Sequence, residues 1–204
     1  MTVPRRVRAC RGASLVELLV GMLLLALFAL AVHRFCSTMR RGVAVLEAAS
    51  EAQATARLGV QLIVADVREA GFSPAGPLAD GLRQAGPTAL AIARDLNGDG
   101  DVNDANERVT YQYTPARRVL SRAQGDAAPQ PLIDELDDNG QLFSYLGADG
   151  RALSSDGGEL DAVARARVRR VAIRLAVAVP NPDPAVRQPL RALETATATL
   201  RNVP

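Results

Sequence analysis

Tryptophan is absent from this 204-residue chain, and aromatic residues together make up only 3% of it. Few side chains are therefore available as stacking platforms for bases or sugars. Histidine occurs once, as His33, at the end of an apolar run. A Ser-His or Cys-His catalytic pair in the rest of the chain is excluded by that inventory. Cysteine occurs twice, as Cys10 and Cys36, on opposite sides of the same run. A continuous helix would hold the two roughly 39 Å apart, too far for a bridge within one chain. Proline is missing between Pro4 and Pro74, although the chain has 12. Acids are missing from the first twelve positions, which carry Arg5, Arg6, Arg8 and Arg11. Subtracting these four from the overall +2 leaves −2, so nothing electrostatic marks the remainder as a nucleic-acid binder. Hydrophobic content of 48% and charged content of 23% are ordinary globular values and exclude wholesale disorder.

Directly after the basic leader comes a membrane-length apolar stretch. Ala13 to Val32 supplies 20 residues, enough to cross roughly 30 Å of hydrocarbon, and the leader arginines would keep the N-terminus cytoplasmic. One carboxylate, Glu17, interrupts it. A charge inside a bilayer span costs about 3 kcal/mol on insertion scales, so it requires a task and a partner. Three readings compete. A secretory signal peptide would use Leu15 to Phe28 as its apolar core and Ala29-Leu30-Ala31 as an A-x-A cleavage site. A plain signal anchor would simply stay in the membrane. Neither gains anything from Glu17.

The third reading places cleavage before the apolar run, between Gly12 and Ala13. Arg11-Gly12-Ala13-Ser14-Leu15-Val16-Glu17-Leu18 resembles the type III signal of type IV prepilins and pseudopilins. That signal is a short basic leader, an obligatory Gly, then a residue followed by S/T-L-V/I-E-L. The match fails only at the first mature position, where the family usually carries Phe and this chain has Ala13. The resemblance implies cutting after Gly12 by a prepilin peptidase and N-methylation of Ala13. It also gives Glu17 a partner, since cleavage creates an ammonium on Ala13 in an apolar setting. In a filament, Glu17 of one subunit would neutralise that ammonium on a neighbour, offsetting much of the desolvation cost.

Helix formers dominate from Val43 to Ala70. Spacings of three and four give one stripe, Leu46, Ala49, Gln53, Ala56, Val60, Ile63, Val67 and Ala70, with Glu47, Glu51, Arg57 and Arg68 off it. A helix from Ala13 to Ala70 would measure roughly 87 Å and should stop at Gly71-Phe72-Ser73-Pro74. Beyond it, strands are expected at 88–94, 107–113, 117–122, 141–146, 168–179 and 191–202, favouring an antiparallel sheet. Pro180-Asn181-Pro182-Asp183-Pro184 must be a surface connection. The expected class is α+β with a pilin-like layout: a long N-terminal helix, half membrane-spanning and half amphipathic, packed on an antiparallel sheet. The expected segments are a leader at 1–12, a transmembrane or filament-core half at 13–33, an amphipathic half at 34–71 and an extracytoplasmic β-rich domain at 72–204. V-A-D-V-R-E-A-G-F (64–72), L-F-S-Y (142–145) and T-A-T-L-R-N (197–202) resemble W-type minor pilins, and the last also the J-type pseudopilins of type II secretion.

A second motif lies in the predicted β-rich part. Asp95-Leu96-Asn97-Gly98-Asp99-Gly100-Asp101-Val102-Asn103 matches the D-x-[DN]-x-[DN]-G spacing of a calcium loop. Asp95, Asn97, Asp99, Asp101 and Asn103 would supply oxygens, and Gly100 a positive φ. Position twelve is Asn106 where the motif wants a bidentate Glu, and Glu107 comes one residue late. The flanks are predicted strands, so the expectation is a hairpin capped by a structural Ca²⁺. An ion-free, solvated Asp/Asn/Gly turn is the alternative, and no nearby His or base supports a catalytic metal. Asp134, Glu135, Asp137 and Asp138 read as a solvated acidic turn. Arg165, Arg167, Arg169 and Arg170 read as a charge-protected sheet face or edge.

Together these features imply a minor pilin, not an enzyme. It would be held in the inner membrane as a single-pass precursor, then assembled at or near a filament tip to help initiate a type IV pilus. Expected partners are the prepilin peptidase, other minor and major pilins and the inner-membrane assembly platform; no nucleic acid is expected. The alternatives are a J-type pseudopilin of a type II secretion system, a secreted calcium-binding domain released after Ala31, and an adhesin displayed by a pilus.

Overall fold

The computed structural model describes residues 14–78, 80–137, 140–154 and 158–202. By internal contacts the chain divides into two compact units, Met1–Ala44 and Val45–Pro204. The proposed cleavage residues Gly12 and Ala13 lie outside the described residues.

All described residues of the first unit except Ser14 belong to α1, the 55-residue helix Leu15–Glu69. With no proline to remove a backbone donor, the hydrogen-bond ladder runs unbroken. Apolar side chains are exposed all round its first turns, Leu15 at 75%, Leu25 at 68% and Phe28 at 70%. This is the one element among the described residues long and apolar enough to cross a membrane by length and composition. The helix ends where expected: Gly71 adopts φ 76°, and the Phe72 N–H donates to the Glu69 carbonyl at 3.0 Å. A glycine in the left-handed region just past the last turn is a common helix stop.

In the second unit, the last turns of α1 bury one stripe, Ala52, Ala56, Gly59, Val60, Ile63, Asp66 and Val67. This corrects the expected stripe in its first half. Leu46 is 71% exposed because covering begins only at Ala52, and Gln53 is exposed because the buried face runs through Ala52 and Ala56 beside it. Small residues lead the buried stripe and allow close approach. A methyl built on Gly59 would meet side chains of Ile133 and Leu175. Burying Ile63 and Val67 fully contributes about 2 kcal/mol each relative to exposure.

The expected α+β class holds, with a long N-terminal helix followed by antiparallel strands, and the strands form two sheets where one was expected. The first has five strands in sequential order: β1 Leu82–Ala85, β2 Ala89–Ala93, β3 Arg108–Thr114, β4 Val119–Gln124 and β5 Gln130–Ile133. The second contains β6 Phe143–Leu146, β7 Ala152–Leu153, β8 Arg170–Val179 and β9 Leu190–Thr199, ordered β7-β6-β8-β9. A short helix, α2 Ala162–Ala166, precedes β8, with Asp161 as its N-cap accepting from the Ala164 N–H at 2.7 Å. Strand β1, strand β5, strand β7 and helix α2 were not expected from the sequence. In β5 the pattern is masked by Pro131, which an edge strand tolerates because its missing N–H need not join the ladder.

The acidic run at 134–137 is not a simple solvated turn. Leu136 is fully buried and forms a bridge with Val177 of β8, so this segment carries the chain from the first sheet to the second. Glu135 holds φ 59° while its carbonyl accepts the Ala178 N–H at 2.8 Å. Asp137 pairs with Arg191 at 2.7 Å and Glu135 with Arg118 at 3.3 Å. Asp138 lies outside the described residues.

Candidate functional site

Glu17 lies in the first turn of α1 and is exposed. Its backbone N–H reaches the Ser14 hydroxyl at 3.4 Å. Ser14 and Glu17 stand in the S-x-x-E arrangement of a capping box, which suits the start of a helix, and an acid there also complements the helix dipole. Capping accounts for the residue types but not for keeping a carboxylate within an otherwise apolar stretch. His33 and Cys36 are also exposed on α1, and Cys36 is a free thiol.

The acidic loop joins β2 to β3, and it is rooted at the end of α1. The Asp95 N–H donates to the Phe72 carbonyl at 2.8 Å, and the Gly71 N–H to the Ala93 carbonyl at 2.8 Å. Asp95 is fully buried, with both carboxylate oxygens engaged. Oδ1 accepts from the Gly98 N–H at 2.6 Å, and Oδ2 from the Ser73 hydroxyl at 2.9 Å and the Gly100 N–H at 3.2 Å. Burial alone would raise the Asp95 carboxyl, but the donors from Gly98, Ser73, Gly100 and Asp99 outweigh it and hold the group below its ordinary 3.8. Gly100 has φ 85°, the left-handed value expected of the sixth position.

The other candidate oxygens divide into two sets. Asn97 turns its amide NH₂ between Asp99 Oδ2 at 2.9 Å and Asp104 Oδ2 at 2.8 Å. Glu107 is 2% exposed, and its Oε1 accepts the Leu96 N–H at 2.8 Å. Its second oxygen, Oε2, is buried without a hydrogen-bond partner. Asp104, which the sequence motif does not include, is raised above its ordinary 3.8, first by the charge of Glu107, then by burial and by Asp99, Asp101 and Asp95. Asn106 faces away: its Oδ1 accepts from Gln124 and its backbone carbonyl from Arg94. Asp101 Oδ1 accepts the Asn103 N–H at 2.8 Å, and both residues are exposed. As they stand, no three His, Cys, Asp or Glu side chains among the described residues are gathered around one ion-sized point.

A polar network that sequence reasoning missed fastens α1 to the first sheet. Asp66 Oδ2 accepts from the Tyr111 hydroxyl at 2.5 Å and from Arg122 Nε and Nη2, each at 3.1 Å. Arg94 adds a bond to Glu69 and approaches Asp66 Oδ1 at 3.8 Å. Burial, then the hydrogen bond to Asp66, raise the Tyr111 hydroxyl well above its ordinary 10.0. The expected basic patch is partly consumed locally. Arg165 donates to the Leu160 carbonyl, and Arg169 to the carbonyls of Ala166 and Val168.

No family model matches the chain, and no curated protein matches it. Among solved structures it is similar to a type IV-like pilin from Thermus thermophilus, at 13% identity and a TM-score of 0.49, over 73% of this chain and 95% of that one.

Proposed function

We propose that this chain is a minor pilin: an inner-membrane precursor cut after Gly12, N-methylated on Ala13, and assembled at or near the tip of a type IV pilus to help initiate it. The observation that carries this reading is Glu17, a lone carboxylate on the exposed apolar part of α1, five residues after Gly12 in a G-A-S-L-V-E-L setting. The unbroken helix also supports it, since α1 continues from this stretch into the folded unit without the break expected after a removable signal. In a filament, apolar helices of neighbouring subunits would cover one another, and the Ala13 ammonium would face Glu17 of the next subunit. Partners are then the prepilin peptidase, the assembly platform and other pilins.

The test is Glu17→Leu in the native host, with the protein followed in membranes and in sheared surface filaments. The variant should be processed and remain in membranes but be lost from the sheared fraction by tenfold or more. Equal incorporation of the variant into filaments would refute the assembly role of Glu17. Retention of both forms in membranes, with no filament pool at all, would refute the pilin reading.

A further inference from the structure

We infer that the β2–β3 loop is a calcium site whose central side-chain ligands are Asp99, Asp104 and Glu107, with Asp95 shaping the loop and not binding the ion. This stands independently of the filament reading.

The spacing of the acids is only a starting point, because an acidic turn by itself binds nothing in particular. The decisive observation is Glu107. It is 2% exposed, and one of its oxygens is buried with no hydrogen-bond donor. Leaving a buried acceptor unsatisfied costs about 1–3 kcal/mol, more for a charged group, so such an atom calls for a partner. Its other oxygen is bonded to Leu96 N–H, which fixes the carboxylate against the first residues of the loop. Among the described residues, no arginine pairs with Asp99, Asp101, Asp104 or Glu107. The nearby Arg94 is spent on Glu69, Asp66 and the Asn106 carbonyl.

The roles follow from which oxygens remain. Asp95 already accepts three hydrogen bonds, two of them from the backbone of its own loop, and holds Gly98 and Gly100 in their left-handed conformations. Asp99 Oδ1 accepts the Asp101 N–H at 2.9 Å, but its Oδ2 and the Oδ2 of Asp104 face only the Asn97 NH₂, a weak electropositive group standing between two carboxylates. Displacing that amide would leave room for an ion between Asp99 and Asp104, and Glu107 Oε2, the oxygen with no donor, would then be its third carboxylate ligand. Oxygen-only donors on an adjustable loop suit Ca²⁺, which accepts six to eight ligands in flexible geometry, over the stricter Mg²⁺. With Asn106 turned toward β4, the late Glu107 takes the place of the motif's last ligand. The affinity expected is that of extracellular modules, with a Kd of about 10⁻⁴–10⁻³ M.

The test uses the full chain in detergent, with ⁴⁵Ca²⁺ equilibrium dialysis and thermal unfolding in calcium, magnesium or chelator. One calcium ion should bind per chain, and Tm should rise by about 4 °C at calcium tenfold above Kd. Asp104→Asn, an exposed position that should not disturb folding, and Glu107→Gln should each weaken binding tenfold or more. Asp149→Asn, on the loop between β6 and β7, should leave it unchanged. Absence of binding at 5 mM calcium in folded protein would overturn the inference. So would an equal response to magnesium, or undiminished binding by Asp104→Asn, whichever way Glu107→Gln behaves.

Discussion

The carboxylate of Asp66, on the buried face of the long helix, accepts the hydroxyl of Tyr111 from the middle of the first sheet at 2.5 Å. Arg122 closes the same group from the neighbouring strand and lies 5.9 Å from the Tyr111 ring centroid. Helix α1 and the β3–β4 hairpin, whose contacting residues lie 45 and 56 positions further on, are thus registered by one oxygen. A buried ion pair of this kind is weak evidence for net stability, but removing one member strands the other.

Replacing Asp66 should therefore be costly. Asp66→Ala is expected to destabilise the folded unit by about 3 kcal/mol, because the half-buried Arg122 charge loses its partner. Tyr111→Phe, which removes one hydrogen bond and keeps the packing, should cost about 1 kcal/mol. Denaturant unfolding followed by tyrosine near-UV dichroism measures both. An Asp66→Ala effect no larger than that of Tyr111→Phe would show that the network does not fasten the helix.

Backbone contact at the helix end gives a second expectation. A methyl on Gly81 would lie 2.4 Å from the Gly71 nitrogen and 2.5 Å from its Cα, whereas a methyl on Gly42 would meet nothing within 4 Å. Gly81→Ala should lower stability by about 1–3 kcal/mol, since backbone cannot step aside as a side chain can. Gly42→Ala, on an open helical position, should raise helix stability by up to about 1 kcal/mol. Melting curves of the two variants, compared with the parent, decide the contrast.

Much of this architecture was legible in the chain. The gap in prolines up to Pro74 and the Gly71-Phe72-Ser73-Pro74 stop mark the helix, and its observed last residue is Glu69. Longer alternating segments such as β3 and β8 were readable by period. Asp66 was not, because an acid at a stripe position reads as an off-face residue until its partners are known. Those partners lie 45 and 56 residues away. Strand β1, with only Leu-Arg-Gln-Ala, and the two-residue β7 are too short to show a pattern. In the acidic loop the motif pointed to Asp95, Asn97, Asp99, Asp101 and Asn103, with Asn106 or Glu107 to close it. Asp104 was invisible because it holds no motif position, and only folding brings it beside Asn97.

Alkaline pH supplies a third test. Tyr111 and Tyr145 are both raised above 10.0, chiefly by burial, with the charge of Asp66 or Glu159 adding to it. A group whose folded pKa is raised contributes stability that is fully present below its unfolded value and lost as pH rises above it. Thermal stability should thus hold up to about pH 10 and fall steeply beyond. The phenolate absorbance of these two residues should appear only with unfolding. Reversible ionisation of all three tyrosines near pH 10 in folded protein would contradict the buried placement of Tyr111 and Tyr145.

The proposed assembly role makes charge at Glu17 matter more than its size. Glu17→Asp should retain part of the filament incorporation, and Glu17→Gln should lose it to the same extent as Glu17→Leu. Quantitative immunoblots of sheared filaments against membranes measure this. Full incorporation of Glu17→Gln would show that the residue serves only as a helix cap.

The central claim is tested most directly by mass spectrometry of the intact protein and its N-terminal peptide, taken from membranes of its own host. The expected terminus is Ala13, carrying one added methyl group. A terminus at Val32, or an intact leader beginning at Met1 in a host with an active prepilin peptidase, would contradict it.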